Sequence, residues 1–320
     1  LAAITLDDVR AHREATLCGS RLTVGIAGAI PEGFEQRVRE DMQQLPDGCA
    51  GQASLSAPPE AEGREVLIVD KPSAEATAIS IGFPIAARRG GADYAALKLV
   101  EAHFGQHRTF SGVLQKSLRV ERGFNYGNYA YVEHFEQEGW QRIPATNTAR
   151  RQQHFSIWIR PVKEADKHFA LRLALYELDQ LVKNGITEED LDRTRAFMKR
   201  YYLTFAQTEE LQLGYAIDDR YYEQDRPYLE MLFEGIDALT VDDVNAVIEK
   251  YLNAENLFVG VVTKNAAAFK QALADDVESP VEYVSEKPKH VTEQDEIVKN
   301  WKLGIPEGNI TVIGVNDIFK

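Results

Sequence analysis

Ala3-Ile-Thr-Leu-Asp-Asp-Val9 recurs as Ala238-Leu-Thr-Val-Asp-Asp-Val244, an offset of 235 residues in a chain of 320. Carried on without gaps, the same offset places Leu17 on Leu252, Leu22 on Leu257, Val24 on Val259, Gly25 on Gly260 and Phe34 on Phe269. Both copies read alike: a Thr N-cap with two Asp in the first turn, an amphipathic helix, a buried strand, then another helix. A single Thr-x-Asp-Asp marks only a helix start. A match that also keeps the strand spacing and the following helix is much harder to obtain by chance. The second copy closes a unit that begins near Arg64, whereas the first opens the chain. The expected organisation is therefore the tail of one repeat (residues 1–46), a linker (47–63) containing Pro58-Pro59, one complete unit (64–276) and a C-terminal arm (277–320).

Within the complete unit the hydrophobic pattern alternates between periods. Glu65–Val69 and Ala76–Phe83 read as strands; Asp93–Phe104 and Phe110–Arg119 are helical by period. Phe124–Phe135 and His154–Pro161 alternate as strands, the latter with Phe155, Ile157 and Ile159 on one face. Long helices follow over Lys163–Lys183, Thr187–Gln207 and Glu209–Tyr222. Asn309-Ile-Thr-Val-Ile-Gly alternates again, as a final strand packing on the body. Strand pairs separated by helical blocks predict an α+β fold, a mostly antiparallel sheet flanked by long helices.

Composition narrows the function classes. With 44% hydrophobic and 27% charged residues the chain is an ordinary globular one. Its formal charge of −14 repels phosphate backbones and anionic lipid, so neither nucleic acid nor membrane is an expected partner. The start Leu1-Ala-Ala-Ile-Thr has no initiator Met, basic region or apolar core, as expected of a processed chain or the inside of a longer one. Cys18 precedes the strand-like Arg21–Gly28, and Cys49 follows the helix expected over Pro31–Leu45. A helix packed back on its strand brings the two thiols near each other. A disulfide would point to an exported, periplasmic protein; two free thiols would point to the cytoplasm.

The seven histidines are His12, His103, His107, His134, His154, His168 and His290. His103-Phe-Gly-Gln-His107 has the i, i+4 spacing that lets two imidazoles share a zinc ion. A hydrolase of the inverted type needs H-x-x-E-H, and Gln106 stands at the Glu position, where an amide accepts no proton. The competing reading is a loop that contains two polar histidines. Ser111-Gly112 is not a nucleophile elbow, and phosphate-loop and dinucleotide patterns are missing. Arg88-Arg89 reads as a solvated loop, and Tyr201-Tyr202 and Tyr221-Tyr222 read as packing. In Leu114–Tyr126 a helix ends at Arg119, Gly123 makes a turn and Tyr126 enters a strand. Arg119 offers a planar fork of donors and Tyr126 a phenolic donor, and the corner can bring both onto one carbonyl or carboxylate. By itself this is weak, because a terminal Arg often caps helix carbonyls.

The same residues carry a family resemblance. Leu118-Arg119-Val-Glu-Arg-Gly123-Phe124-Asn-Tyr126 fits the pattern L-R-x-x-x-G-hydrophobic-x-Y of the zinc-less C-terminal half of the pitrilysin/insulinase metallopeptidases, which include the mitochondrial processing peptidases. The likeness runs from the Thr5-Leu-Asp-Asp-Val9 helix start through Val24–Gly28, Ile81-Gly-Phe-Pro84 and Asp93-Tyr94. It implies a LuxS/mitochondrial-processing-peptidase-like metallohydrolase fold and two homologous halves closing around a chamber. It also implies no zinc and no catalytic residue in this chain, the zinc being carried by an N-terminal half or a homologous subunit. Arg119 and Tyr126 would bind peptide substrate across the chamber, donating to its carbonyl or oxyanion, and sheet edges would add peptide as a strand. Without H-x-x-E-H, the chain is not expected to hydrolyse peptides alone. Two other readings compete: a structural or interaction subunit that kept the fold, and an independent metallohydrolase using His103 and His107.

Overall fold

The computed structural model describes residues 3–49, 56–106, 111–133, 144–148 and 150–319. In chain order its elements are α1 (Leu6–Thr16), α2 (Phe34–Met42), β1 (Arg64–Asp70), β2 (Thr77–Ile85), α3 (Tyr94–Phe104), β3 (Gly127–Tyr131), β4 (Gln153–Val162), α4 (Lys167–Asn184) and α5 (Glu188–Tyr201). They continue with α6 (Glu209–Tyr221), α7 (Tyr228–Ala238), α8 (Val241–Tyr251), β5 (Leu257–Thr263), α9 (Ala266–Ala274), α10 (Lys289–Val298) and β6 (Ile310–Gly314). The fold is α+β.

Both copies of the repeat start with the same reciprocal cap. Thr5 Oγ1 accepts the Asp8 N–H while Asp8 Oδ2 accepts the Thr5 N–H, and Thr240 and Asp243 repeat the exchange at α8. Thr187 and Asp190 do so at α5. Each box satisfies two donors that a helix start leaves open.

The six strands lie in the order β3-β4-β2-β5-β1-β6. Three pairings are antiparallel (β3 with β4, β4 with β2, β2 with β5), and β1 is parallel to both β5 and β6. The sheet is thus mixed, its parallel end made by strands from opposite ends of the unit. Val66, Ile68, Ile79, Ile81, Phe155, Ile157, Val259 and Val261 share the buried face and join residues of α3, α4, α8 and α9 in one core. The opposite face is open: Leu67, Ser80 and Trp158 stand on it, and Leu67 is 41% exposed. The arm lays α10 beside α4 and adds β6 to the edge of β1.

Several expectations are corrected. Arg21–Gly28 forms no strand; it is extended, half-buried at most, and lies against α6, where a Cβ on Gly25 would come within 2.7 Å of Leu213. A strand needs a hydrogen-bonding neighbour, and no described sheet edge reaches this segment. The helix expected from Pro31 begins only after Gly33; of the one expected over Phe110–Arg119, residue 110 lies outside the described residues and the described part runs into a π-helical turn, Gln115–Glu121. The alternation over Phe124–Phe135 becomes the shorter β3, with residues 134–135 outside the described ones. Arg89 is not solvated. It is buried, donating to Glu133 Oε2 at 3.0 Å and Asp218 Oδ2 at 2.9 Å beneath the ring of Tyr228. Local sequence shows two arginines before Gly90-Gly91, but not the carboxylates brought to them by β3 and α6. Tyr202 and Tyr222 are buried packing residues.

Cys18 and Cys49 are joined as a disulfide, with Cα atoms 5.3 Å apart. Neither α1 nor α2 buries a residue, so this cross-link is the principal tie within residues 3–49. A bridge with a sequence separation of 31 contributes about 3–4 kcal/mol by the chain-entropy relation. Cys18→Ser is therefore expected to abolish hydrogen-exchange protection in α1 and α2 while leaving the β-sheet amides protected. Equal protection of α1 in the variant would show that the bridge is dispensable.

His168, on α4, packs edge-on to Phe269 at 5.8 Å and has no partner for Nε2. Burial, reinforced by nearby Arg172, pushes its pKa down to about 4. The folded state binds this proton less readily than the unfolded chain, so stability present above pH 6.5 is lost as pH falls towards 4. The loss is on the order of 3 kcal/mol. Urea midpoints of wild type and His168→Gln at pH 7 and pH 4.5 should show the smaller acid loss in the variant.

Candidate functional site

The Arg119 corner is assembled from three parts of the chain. Gly123 sits at φ +74°, a left-handed conformation that glycine adopts without a Cβ penalty. Its N–H donates to Arg119 O at 2.9 Å, and the Phe124 N–H reaches back to Leu118 O at 3.0 Å, closing the π-helical turn. Such turns are energetically poorer than α-helix and recur at functional sites. Here the surroundings hold it in place. Ser117 Oγ donates to Glu177 Oε1 at 2.7 Å on α4. Buried Arg122 donates to Asp295 Oδ1 at 2.8 Å and Gln294 Oε1 at 2.8 Å on α10, and to Ser117 O at 2.9 Å. Tyr283 Oη donates to the other Asp295 oxygen at 2.8 Å. Phe124 packs edge-on to Phe169 at 5.7 Å. Arg122, Asp295 and Tyr283 thus position the corner. None was singled out from sequence, because their partners lie more than 150 residues away for Arg122.

Arg119 and Tyr126 come together. The Arg119 guanidinium carbon lies 3.9 Å from the centre of the Tyr126 ring, and Tyr126 is 69% exposed. The guanidinium sits over the ring as a cation–π contact, which does not consume its planar fork of N–H donors. Among the described residues the Arg119 side chain makes no hydrogen bond or ion pair and does not cap helix carbonyls. A rigid ring, a fixed cation and an open fork of donors form one unit at the entrance to β3. Beyond it the open sheet face carries Tyr129, Tyr131, Trp158 and Arg160, the last with its guanidinium 4.6 Å from the Trp158 ring centre. This wall can accept backbone carbonyls and carboxylates and stack on planar groups.

The zinc reading of His103 and His107 finds no support among the described residues. His103 is buried between helices, its pKa lowered by burial, with Nδ1 unpartnered. Gln106, also buried, donates to the Tyr202 hydroxyl at 3.1 Å, so the position of the catalytic Glu holds an amide in a packing role. His107 lies outside the described residues. Among the described residues no group of three His, Cys, Asp or Glu is placed to hold a metal.

A family model described as the peptidase M16 inactive domain matches residues 3–198, which contain the first copy of the repeat, the corner and four of the six strands. The chain belongs to this family. Among solved structures, the M16 inactive domain from Pseudomonas fluorescens is similar at 20% identity over 82% of this chain and 58% of its own, with a TM-score of 0.67. A protease from Helicobacter pylori matches at 15% identity over 82% and 59%, TM-score 0.60. The first half of the periplasmic protease PqqL from Escherichia coli matches at 14% over 94% and 61%, TM-score 0.60. At these identities the M16 inactive domain shares its fold with those proteins, and it spans about three-fifths of their lengths. A search of curated proteins finds no match. The M16 assignment agrees with the resemblance carried by Leu118–Tyr126.

Proposed function

We propose that this M16 inactive domain is the non-catalytic half of a zinc peptidase, binding peptide and closing the chamber over a metal site in another half or subunit. The observation that carries this reading is the Arg119–Tyr126 pair, a donor fork with its N–H edge unengaged, fixed on an anchored corner. Arg119 and Tyr126 would donate to a peptide carbonyl and to the oxyanion that develops from it. Fixed donors in a water-poor chamber need no reorganisation when the charge appears. A structural subunit would have no use for such a pair.

Pairing with a second unit is supported by the repeat itself. Val9 and Val24 are 55% and 49% exposed, whereas their counterparts Val244 and Val259 are buried. In the second copy α3 and the sheet cover those positions, so an equivalent helix and sheet would cover them in the first. The disulfide, and the periplasmic relative among similar structures, support a periplasmic location. No described helix is long and apolar enough to cross a membrane.

The test is reconstitution. The chain alone should leave a fluorogenic peptide uncut with or without added zinc, and a zinc-bearing M16 half supplied to it should cleave far faster than that half alone. Zinc-dependent cleavage by the isolated chain would overturn the proposal.

A further inference from the structure

The first copy of the repeat carries an open groove of about 490 Å³ between the extended segment after Cys18 and α2. Leu22, Val24 and Ile26 line it from the segment, Val38 and Met42 from α2, and Ile30 from the bend between them. Leu22, Val24 and Ile26 alternate, so in extended chain they share a face. The backbone beside them is open as well: among the described residues, 23–28 make no backbone–backbone hydrogen bond. Alternating apolar side chains on unpaired N–H and C=O groups describe a strand without a sheet.

The second copy shows what such a segment binds. At the same offset Leu22, Val24 and Ile26 become Leu257, Val259 and Val261 of β5, all buried, and Val38 becomes the buried Leu273 of α9. There β5 is an interior strand, with β1 parallel on one edge, β2 antiparallel on the other, and α9 packed on β1. The position of the groove is filled by β1, whose Val66 and Ile68 pair with Val259 and Val261 and join the core. This β1 cannot serve the first copy too, because both its edges are taken, by β5 and β6. A second copy of the chain offers only the outer edges of β3 and β6, one neighbour at a time. Resting on the pairing proposed above, we infer that residues 22–27 form an interior strand of the zinc-bearing half's sheet. A parallel apolar strand of that half sits in the groove, and an antiparallel one pairs with the opposite edge. Gly25, the counterpart of Gly260, lies against Leu213 and Ile217 of α6, so the shared strand also ties the partner's sheet to the complete unit.

The chain is co-expressed with a zinc-bearing M16 half that ends before its own Thr-x-Asp-Asp helix, and separately with one that keeps that helix and the strand after it. Complexes are read by gel filtration, and the amides of 23–27 by hydrogen exchange followed by NMR. The first half is expected to form a one-to-one complex in which these amides slow by at least about 100-fold. The second, its place already filled, should leave them exchanging as in the chain alone. An interior strand is bonded on both edges, so successive amides slow alike, whereas an edge strand protects only alternate ones. Val24→Asp, at a position exposed in the chain alone, should abolish the complex while the chain's own sheet amides stay protected; Val24→Ile should keep it. Alternate protection, equal docking of both halves, a complex untouched by Val24→Asp, or no complex would overturn the inference. If cleavage is restored while these amides exchange as before, the strand alone fails. If the complex protects them all but cuts no peptide, the peptidase reading fails and the strand stands.

Discussion

Arg119→Ala, measured in the reconstituted pair, is expected to lower kcat by roughly 10²–10³-fold while KM rises only a few-fold, the range seen when one oxyanion donor is removed. The split follows from when the interaction forms. A ground-state carbonyl is a weak acceptor, and the donor fork gains most as negative charge develops on oxygen, so its loss falls on the transition state. Tyr126→Phe removes one phenolic donor but keeps the ring on which Arg119 stacks at 3.9 Å, so a smaller fall in kcat is expected. Arg119→Lys keeps the charge but loses the planar fork and the stacked geometry, and should recover little. Steady-state kinetics on a fluorogenic peptide decide the matter. Wild-type kcat in both Arg119→Ala and Tyr126→Phe would remove the oxyanion role.

Arg89→Leu should cost about 3–5 kcal/mol of unfolding free energy, the usual penalty for stranding buried charges. Arg89 is clamped between Glu133 and Asp218, and Lys98, 3.8 Å from Glu133, is itself bonded to both oxygens of Glu101 at 2.7 Å. Burial is the largest single influence and opposes the Arg89 charge, but Glu133 together with the nearby Tyr94 and Tyr228 holds the guanidinium pKa well above its ordinary value. Burial likewise favours protonated Glu133, yet Arg89 and then Lys98 bring its pKa below the usual range. Asp218 stays raised by burial. Removing the cation lets both carboxylates rise, so the folded variant takes up protons that the unfolded chain does not. The variant's deficit should therefore shrink as pH drops from 7 towards 5. Urea unfolding at both pH values tests this, and a deficit independent of pH would mean that lost packing, not stranded charge, causes it.

The corner was readable because its parts are local. Gly123 follows Arg119 by four residues and Tyr126 follows by seven, so turn, cation and ring are specified within one short stretch. Its supports were not readable. Arg122 looked like one more charge in Arg119-Val-Glu-Arg, and only the arm's Asp295 and Gln294 give it a task. Arg88-Arg89 reads as solvated for the same reason: nothing near it in sequence discloses Glu133 or Asp218. The strand expected at Arg21–Gly28 failed differently. It repeats Leu257, Val259 and Gly260 of β5 as Leu22, Val24 and Gly25, but a hydrophobic pattern describes what a segment can bury, not whether a neighbouring strand is present.

From the amino-acid order alone came the three threonine–aspartate helix starts, the alternation of β2 and β4, the duplicated motif and the Leu118–Tyr126 signature of the M16 inactive domain. All of these are written in side chains at most a few turns apart, where hydrogen bonds and hydrophobic periods act along the backbone. The parallel docking of β6 and β5 on β1, the burial of Arg89 and the anchoring of Arg122 emerged only on folding. Each depends on partners tens to hundreds of residues distant, and burial, which sets the worth of a charge or a hydroxyl, is a property of the assembled layers.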